Sequence, residues 1–173
     1  MSEPPAIRAA ERKDAPAICA IYNHWVATSL VTFDEDPWTA GQWDARLVDL
    51  AARGLPALVA EDEEGSVLGY ALAAPWSTKH GYRFTAEDSI YLSPEATGRG
   101  VGGALMAALV EESAECGLRE LVAVVADEQA EASLALHGRF GFVETGRLAG
   151  VGVKFGRRVG VVYLQRSLLP PVG

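Results

Sequence analysis

Two cysteines in 173 residues, Cys19 and Cys116, stand in neither CxxC nor Cys/His spacing. A disulfide scaffold and a zinc cluster are therefore poor organising devices for this chain, and reduced thiols fit better. Cations are in deficit, 15 Lys plus Arg against 23 Asp plus Glu, for a net charge of −8. The electrostatic footprint of a nucleic-acid binder is missing, although a local basic cluster could still hold phosphates. No run of about twenty apolar residues occurs, and Met1–Ala10 lacks the apolar centre of a secretory signal. A cytoplasmic protein with neither a membrane nor a nucleic acid as partner is expected. With 49% hydrophobic residues, no repeat and no linker, residues 1–173 are expected to form one domain with a core from about 7 to 168.

Ile7–Ala10 has the composition of a first strand. Asp14 stands as an N-cap with Pro16 behind it, and Ile18, Ile21, Tyr22 and Trp25 recur at helical spacing. His24 lies beside that face and is expected to be structural. Ala27–Trp38 has no clean period and is long enough to line a site. Trp38–Arg53 returns to helical spacing through Trp43, Leu47 and Leu50, ended by Gly54. LPALVAED and SVLGYALAAPW, joined by Glu63-Glu64-Gly65, predict an antiparallel hairpin. The loop STKHGYR leads to a further strand, and Ala104, Leu105, Ala108 and Leu109 mark a helix that Gly117 can end. Leu121–Ala126 predicts a buried strand and Ala130–Arg139 a short helix. A last β region runs from Phe140 to Arg166, interrupted by Gly150, Gly152, Gly156 and Gly160. The expected class is mixed α/β, in the order β-α-α-β-β-β-α-β-α-β-β.

The most informative stretch is Ser89–Gly103, SIYLSPEATGRGVGG. A β-branched run stops at Pro94, a glycine-rich turn carries Arg99, and a helix opens behind it, an arrangement that turns backbone N–H groups toward an anion. Gly98, Gly100 and Gly103 spell GxGxxG, with Asp127 as a downstream acid. A dinucleotide fold, however, would have to start past mid-chain, after three strands and two helices. A P-loop needs Lys-Ser or Lys-Thr where Ala104-Leu105 stands. A purely structural turn stays open, as does coenzyme A, which carries a pyrophosphate.

The turn resembles the acyl-CoA signature of the GCN5-related N-acetyltransferases, Gln/Arg-x-x-Gly-x-Gly/Ala, with Gly100 and Gly102 on its glycines and Thr97 in place of the leading Gln/Arg. IRAAERKDAPAICAIYNHWV, Thr32-Phe33, TAEDSIYLSP, ASLALHGRFGF and VKFGRR are similar, in order and spacing, to the phosphinothricin acetyltransferase branch of that superfamily, from Ile7 to about Leu168. The resemblance implies a mixed, largely antiparallel sheet flanked by helices, acetyl-CoA as cosubstrate without a metal, and a homodimer. It also implies a small-molecule acceptor, the amino group of an amino acid or of a toxic analogue such as phosphinothricin, methionine sulfone or sulfoximine. Glu87 takes the place of the general base. Adjacent Asp88 is the rival, directed to the opposite face of a strand. His137 takes the place of a residue that protonates the departing thiolate or accepts a proton from the amine, with a packed or capping histidine as the other possibility.

Ile90, Tyr91 and Leu92 would pair with the pantetheine arm, Arg99, Gly100, Val101, Gly102 and Gly103 with the pyrophosphate, and Ser133 with the cofactor. For the acceptor, cations and aromatics are wanted. Phe33, Trp76, Tyr82, Arg83 and Lys154 are the candidates, with Tyr91, Arg157 and Arg158 near them in sequence. Ala130 stands where the branch commonly has asparagine, and Arg158 and Gly160 replace a tryptophan and an aspartate. An acyl-CoA sensor without turnover and a protein N-acetyltransferase remain as other functions. Neither cysteine has a nucleophile's context, so direct transfer is expected.

Overall fold

A computed structural model describes residues 5–169. Its elements are β1 (Ala6–Ala9), α1 (Ala15–Thr28), α2 (Ala40–Ala52), β2 (Ala57–Glu61), β3 (Val67–Pro75), β4 (Thr85–Leu92), α3 (Val101–Glu115), β5 (Glu120–Ala126), α4 (Glu131–Arg139), β6 (Val143–Lys154) and β7 (Arg157–Ser167). The order is the expected one. The seven strands form one sheet, β1-β2-β3-β4-β5-β7-β6, antiparallel throughout except for the β4–β5 pair.

α1 buries Ile18, Ile21, Tyr22 and Val26 along one face. Asp14 does not cap it as expected. The Asp14 carboxylate looks backwards instead, taking two hydrogen bonds from the Arg8 guanidinium (2.7 and 2.9 Å) and one from the Glu11 N–H (2.8 Å). A cation on the neighbouring strand and an open N–H in the preceding turn compete successfully for its oxygens. α2 is capped by Thr39, whose hydroxyl accepts from the Gln42 N–H while Gln42 reaches back to the Thr39 N–H.

The last β region resolves into one hairpin. Phe155 and Gly156 both have positive φ, 50° and 71°, the two-residue turn whose twist matches antiparallel strands. Register shifts at Glu144/Gly146 and Leu148/Gly152 bend β6 around its partner.

Two features of the sheet position the site. Side chains alternate across β3 and β4, so Ala71, Ala73 and Ala86 pack toward Leu105, Met106 and Leu109 of α3, while Tyr70 and Leu72 pack toward Tyr22, Trp43 and Leu47 of α1 and α2. Then β4 and β5 part company. They pair only from Thr85/Glu120 to Glu87/Val122, although β4 continues to Leu92 and β5 to Ala126. Beyond Glu87, β4 is left with β3 alone and β5 with β7 alone.

Candidate active site

Glu87 is the last β4 residue paired to β5, and its side chain shares a face with Ser89 and Tyr91. That face opens on a cavity of about 320 Å³, lined among others by Tyr22, Phe33, Asp34, Arg46, Tyr70 and Glu87. Burial and then the Asp88 carboxylate hold the Glu87 carboxyl above its ordinary value, while Arg46 pulls the other way. A half-buried carboxylate with a raised pKa, facing a cavity at the mouth of a strand splay, can take a proton from a bound ammonium.

Asp88 points to the other face. Its Oδ2 lies 2.9 Å from Nε2 of His137 on α4, and the Ser133 carbonyl lies 2.7 Å from Nδ1. The two side chains are 1% and 3% exposed. Burial alone lowers the His137 pKa, but the Asp88 hydrogen bond and charge and the Ser133 carbonyl outweigh it, leaving it raised. His137 was expected to exchange protons with the reactants. Its ring instead packs edge-on against Phe142, at 4.9 Å, with both nitrogens engaged inside the protein. The geometry is that of a clamp between α4 and β4.

The splay and the turn behind it fit coenzyme A. The Ser93 N–H bonds to the Leu68 carbonyl and the Trp76 N–H to the Thr85 carbonyl. Ladder alternation between these points turns the N–H and C=O of Ile90 and Leu92 away from β3, toward the splay, whereas those of Tyr91 face Tyr70. Tyr91 therefore offers its ring to the cavity rather than its backbone to the cleft. The Leu92 carbonyl already accepts from the Trp25 indole at 2.7 Å, which leaves Ile90 as the fully free peptide pair. Gly100, with φ 83°, is the N-cap of α3, and no side chain caps the helix. The N–H groups of Val101, Gly102 and Gly103 are those a helix leaves without internal partners. A β-carbon at Gly98, Gly100 or Gly103 would meet open space, whereas one at Gly102 would lie 3.4 Å from Leu136. Arg99 is exposed beside them and Ser133 half-buried, its hydroxyl 3.4 Å from His137 Nδ1.

The expected acceptor residues scatter. Phe33 lines the Glu87 cavity and lies over Gly152, where a β-carbon would collide with its ring. Trp76 and Tyr82 line a second cavity with Leu148 and Tyr163. Arg83 is exposed and stacks on Phe84, 4.4 Å from its centroid. Lys154 is fully buried, its ammonium donating to the Thr32 carbonyl at 2.8 Å, and desolvation lowers its pKa. Lys154 thus fastens the 29–35 loop to β6 instead of meeting an acceptor. The cavity's cation is Arg46, which sequence reasoning passed over although it lies three residues beyond Trp43 on the same helix. Asp34 was also missed as a site residue. Its Oδ2 accepts from the Tyr22 hydroxyl (2.5 Å) and the Trp38 indole (2.9 Å), holding the loop that carries Phe33.

The model of the acetyltransferase (GNAT) family matches residues 18–142. A phosphinothricin N-acetyltransferase of Alcaligenes faecalis is 43% identical over 162 residues, 94% of this chain and 82% of that protein. An L-methionine sulfoximine/L-methionine sulfone acetyltransferase of Pseudomonas aeruginosa is 38% identical over 95% of each chain. The crystal structure of a GNAT superfamily phosphinothricin acetyltransferase from Sinorhizobium meliloti in complex with acetyl-CoA matches with a TM-score of 0.91 and 36% identity, covering 95% of this chain and 89% of that one.

Proposed function

Because the chain belongs to the acetyltransferase (GNAT) family and is an acetyl-CoA-dependent N-acetyltransferase, we propose that its acceptor is the α-amino group of a small amino acid or an analogue of the phosphinothricin and methionine sulfone type, with Glu87 as general base. The observation that carries this is the position of Glu87. Its carboxylate faces the cavity at the point where β4 and β5 separate, so one group can serve an acceptor on the cavity side and a thioester in the cleft.

Bound acetyl-CoA supplies the activated acetyl group. Ile90 offers its N–H and C=O as a strand edge for the pantetheine amides, and the amides of Val101, Gly102 and Gly103, with Arg99 beside them, receive the pyrophosphate. Glu87 accepts the proton of the acceptor's ammonium, directly or through water. The freed amine forms the N–C bond as the C–S bond breaks, and the second proton of the attacking nitrogen passes to the departing thiolate. His137 acts through Asp88 and α4 as a positioning residue.

Both cysteines support direct transfer. Cys19 is buried with its thiol on the Trp38 carbonyl at 3.2 Å, and Cys116 is exposed at the far end of α3 from the glycine turn. Initial rates should give intersecting lines. A cytoplasmic homodimer is part of the same proposal: Leu148, Val151 and Val153 of edge strand β6 and Phe155 of the turn behind it are exposed apolar side chains that a second copy would cover. The deciding experiment is a free-thiol assay with acetyl-CoA against amino acids, sulfones, sulfoximines, phosphinothricin and polyamines. Thiol release with the α-amino acids and their analogues is expected; release with polyamines alone would overturn the acceptor class.

A further inference from the structure

One wall of the Glu87 cavity carries hydrogen-bond donors that the protein itself does not use. Trp43 and Arg46, three residues apart on α2, share the helix surface turned to the cavity. Tyr70 rises from β3 against them, its ring 5.2 Å from that of Trp43. Trp43 is 3% and Tyr70 1% exposed. The Trp43 Nε1, the Tyr70 hydroxyl and the Arg46 Nε are each buried without a hydrogen-bond partner. A buried polar group left in that state is costly, and buried polar groups are nearly always satisfied. Three on one wall point to a ligand that accepts.

The neighbouring acids are otherwise engaged. Asp34 Oδ2 takes the Tyr22 hydroxyl and the Trp38 indole, and Asp44 is paired with Arg12. Arg46 makes no ion pair among the described residues, and its guanidinium lies 5.7 Å from the Trp38 ring, a surface on which a planar cation is held without losing its donors. On the facing strand, Glu87 is an acceptor of protons and cannot share an anion's place.

We propose that Arg46, Trp43 and Tyr70 form an anion subsite for the acceptor's carboxylate, which sets its amino group toward Glu87. The inference rests on the cavity being the acceptor site, and it names the residues by which an amino acid is told from an amine without a carboxylate. A guanidinium and two neutral donors match the oxygens of that group, while an uncharged amide or a bare polyamine would leave the guanidinium desolvated and unpaired.

The test compares L-methionine sulfone with its carboxamide, which keeps the amine and the sulfone. In the unaltered enzyme the carboxylate form should have the lower KM. Arg46→Gln should raise the KM for L-methionine sulfone roughly 30- to 100-fold, the effect of a lost charge-assisted bond, and should change kcat and the carboxamide's KM little. Trp43→Phe, which keeps an aromatic ring and removes the N–H, should raise the same KM about fivefold. Arg46→Lys should recover part of the loss. Equal losses on the carboxylate and the carboxamide would overturn the subsite. Calorimetric titration of L-methionine sulfone into the enzyme and into Arg46→Gln reads the subsite without turnover, and an unchanged acetyl-CoA affinity reports an intact fold. Tight binding that Arg46→Gln abolishes, with no acetyl transfer, would keep the subsite and reject the acceptor class; binding that Arg46→Gln leaves intact would reject the subsite.

Discussion

The two faces of β4 differ in how they are filled. On the α3 side, Ala71, Ala73 and Ala86 present methyl groups to Leu105, Met106 and Leu109; small side chains let the helix close on the sheet and leave no hollow. Of its polar atoms, Asp88 Oδ2 and His137 Nε2 bond each other, and the two left without a partner among the described residues, Asp88 Oδ1 and Ser113 Oγ, are acceptor or hydroxyl oxygens sealed in the packing. On the α1/α2 side, Tyr22, Trp43, Tyr70 and Tyr91 stand edge-to-face or stacked at 5.2 to 5.7 Å. Rings braced against rings span a gap that aliphatic chains would fall into, and donors remain unused along it. One face is a foundation and the other a receptacle, and a single step along the strand, from Glu87 to Asp88, passes between them.

That contrast should separate stability from turnover. The largest effect is expected on the foundation side. Asp88→Ala leaves His137 buried beside an unpaired nitrogen and should cost about 3 kcal/mol of stability, read by urea denaturation, while Asp88→Asn, which keeps an acceptor, should cost clearly less. Glu87→Gln should do the reverse, lowering kcat about a hundredfold without lowering the denaturation midpoint. If Glu87→Gln destabilised as much as Asp88→Ala, the two faces would not be doing different work.

Much of this was legible in the chain. Helical spacing marked α1, α2 and α3, each of which buries one face, and β-rich runs bounded by turn signals marked the strands; β6, exposed along most of its length, read only as part of a glycine-broken β region. The opposition of Glu87 and Asp88 follows from strand alternation alone. The failures share a cause, since each depended on a partner distant in sequence. Asp14 had the right type for an N-cap, but Arg8 took its carboxylate. Lys154 looked like a substrate cation until the Thr32 carbonyl, 122 residues away, was seen to hold it. Arg46 read as an ordinary polar residue on a helix, and only the fold turns it inward beside Tyr70.

Gly160 sharpens the comparison from the rim of the hollow side. Its N–H donates to Asp127 Oδ1 at 2.9 Å, and a β-carbon there would overlap the Asp127 carboxylate and come within 2.6 Å of the Leu148 carbonyl. Gly160 thus makes room for Asp127 at the end of β5, next to Ala126, which lines the cavity. Gly160→Ala should cost about 2 kcal/mol through overpacking, and Asp127→Ala in the same chain should recover part of that cost. A full and unrelieved loss would place the clash on the Leu148 carbonyl instead.

The smallest expected effect is a difference in pH dependence between the faces. The His137 pKa is raised above its unfolded value of 6.5, burial lowering it and the Asp88 bond and charge more than compensating. The native state therefore holds the proton longer than the unfolded chain. The pair's stabilisation is complete below about 6.5 and is lost as pH rises through the raised folded value. Glu87, raised from 4.5 chiefly by burial and then by Asp88, also binds its proton more tightly when folded. Its contribution is likewise lost with rising pH, but in a window that opens just above 4.5. Midpoint temperatures measured from pH 4 to 9, a span chosen to bracket roughly both windows, should fall in two separate steps. Glu87→Gln should remove the lower step and His137→Gln the upper one. If either variant removed both, the carboxylate of the receptacle and the imidazole of the foundation would titrate as one coupled group, and the division drawn along β4 would not extend to their protons.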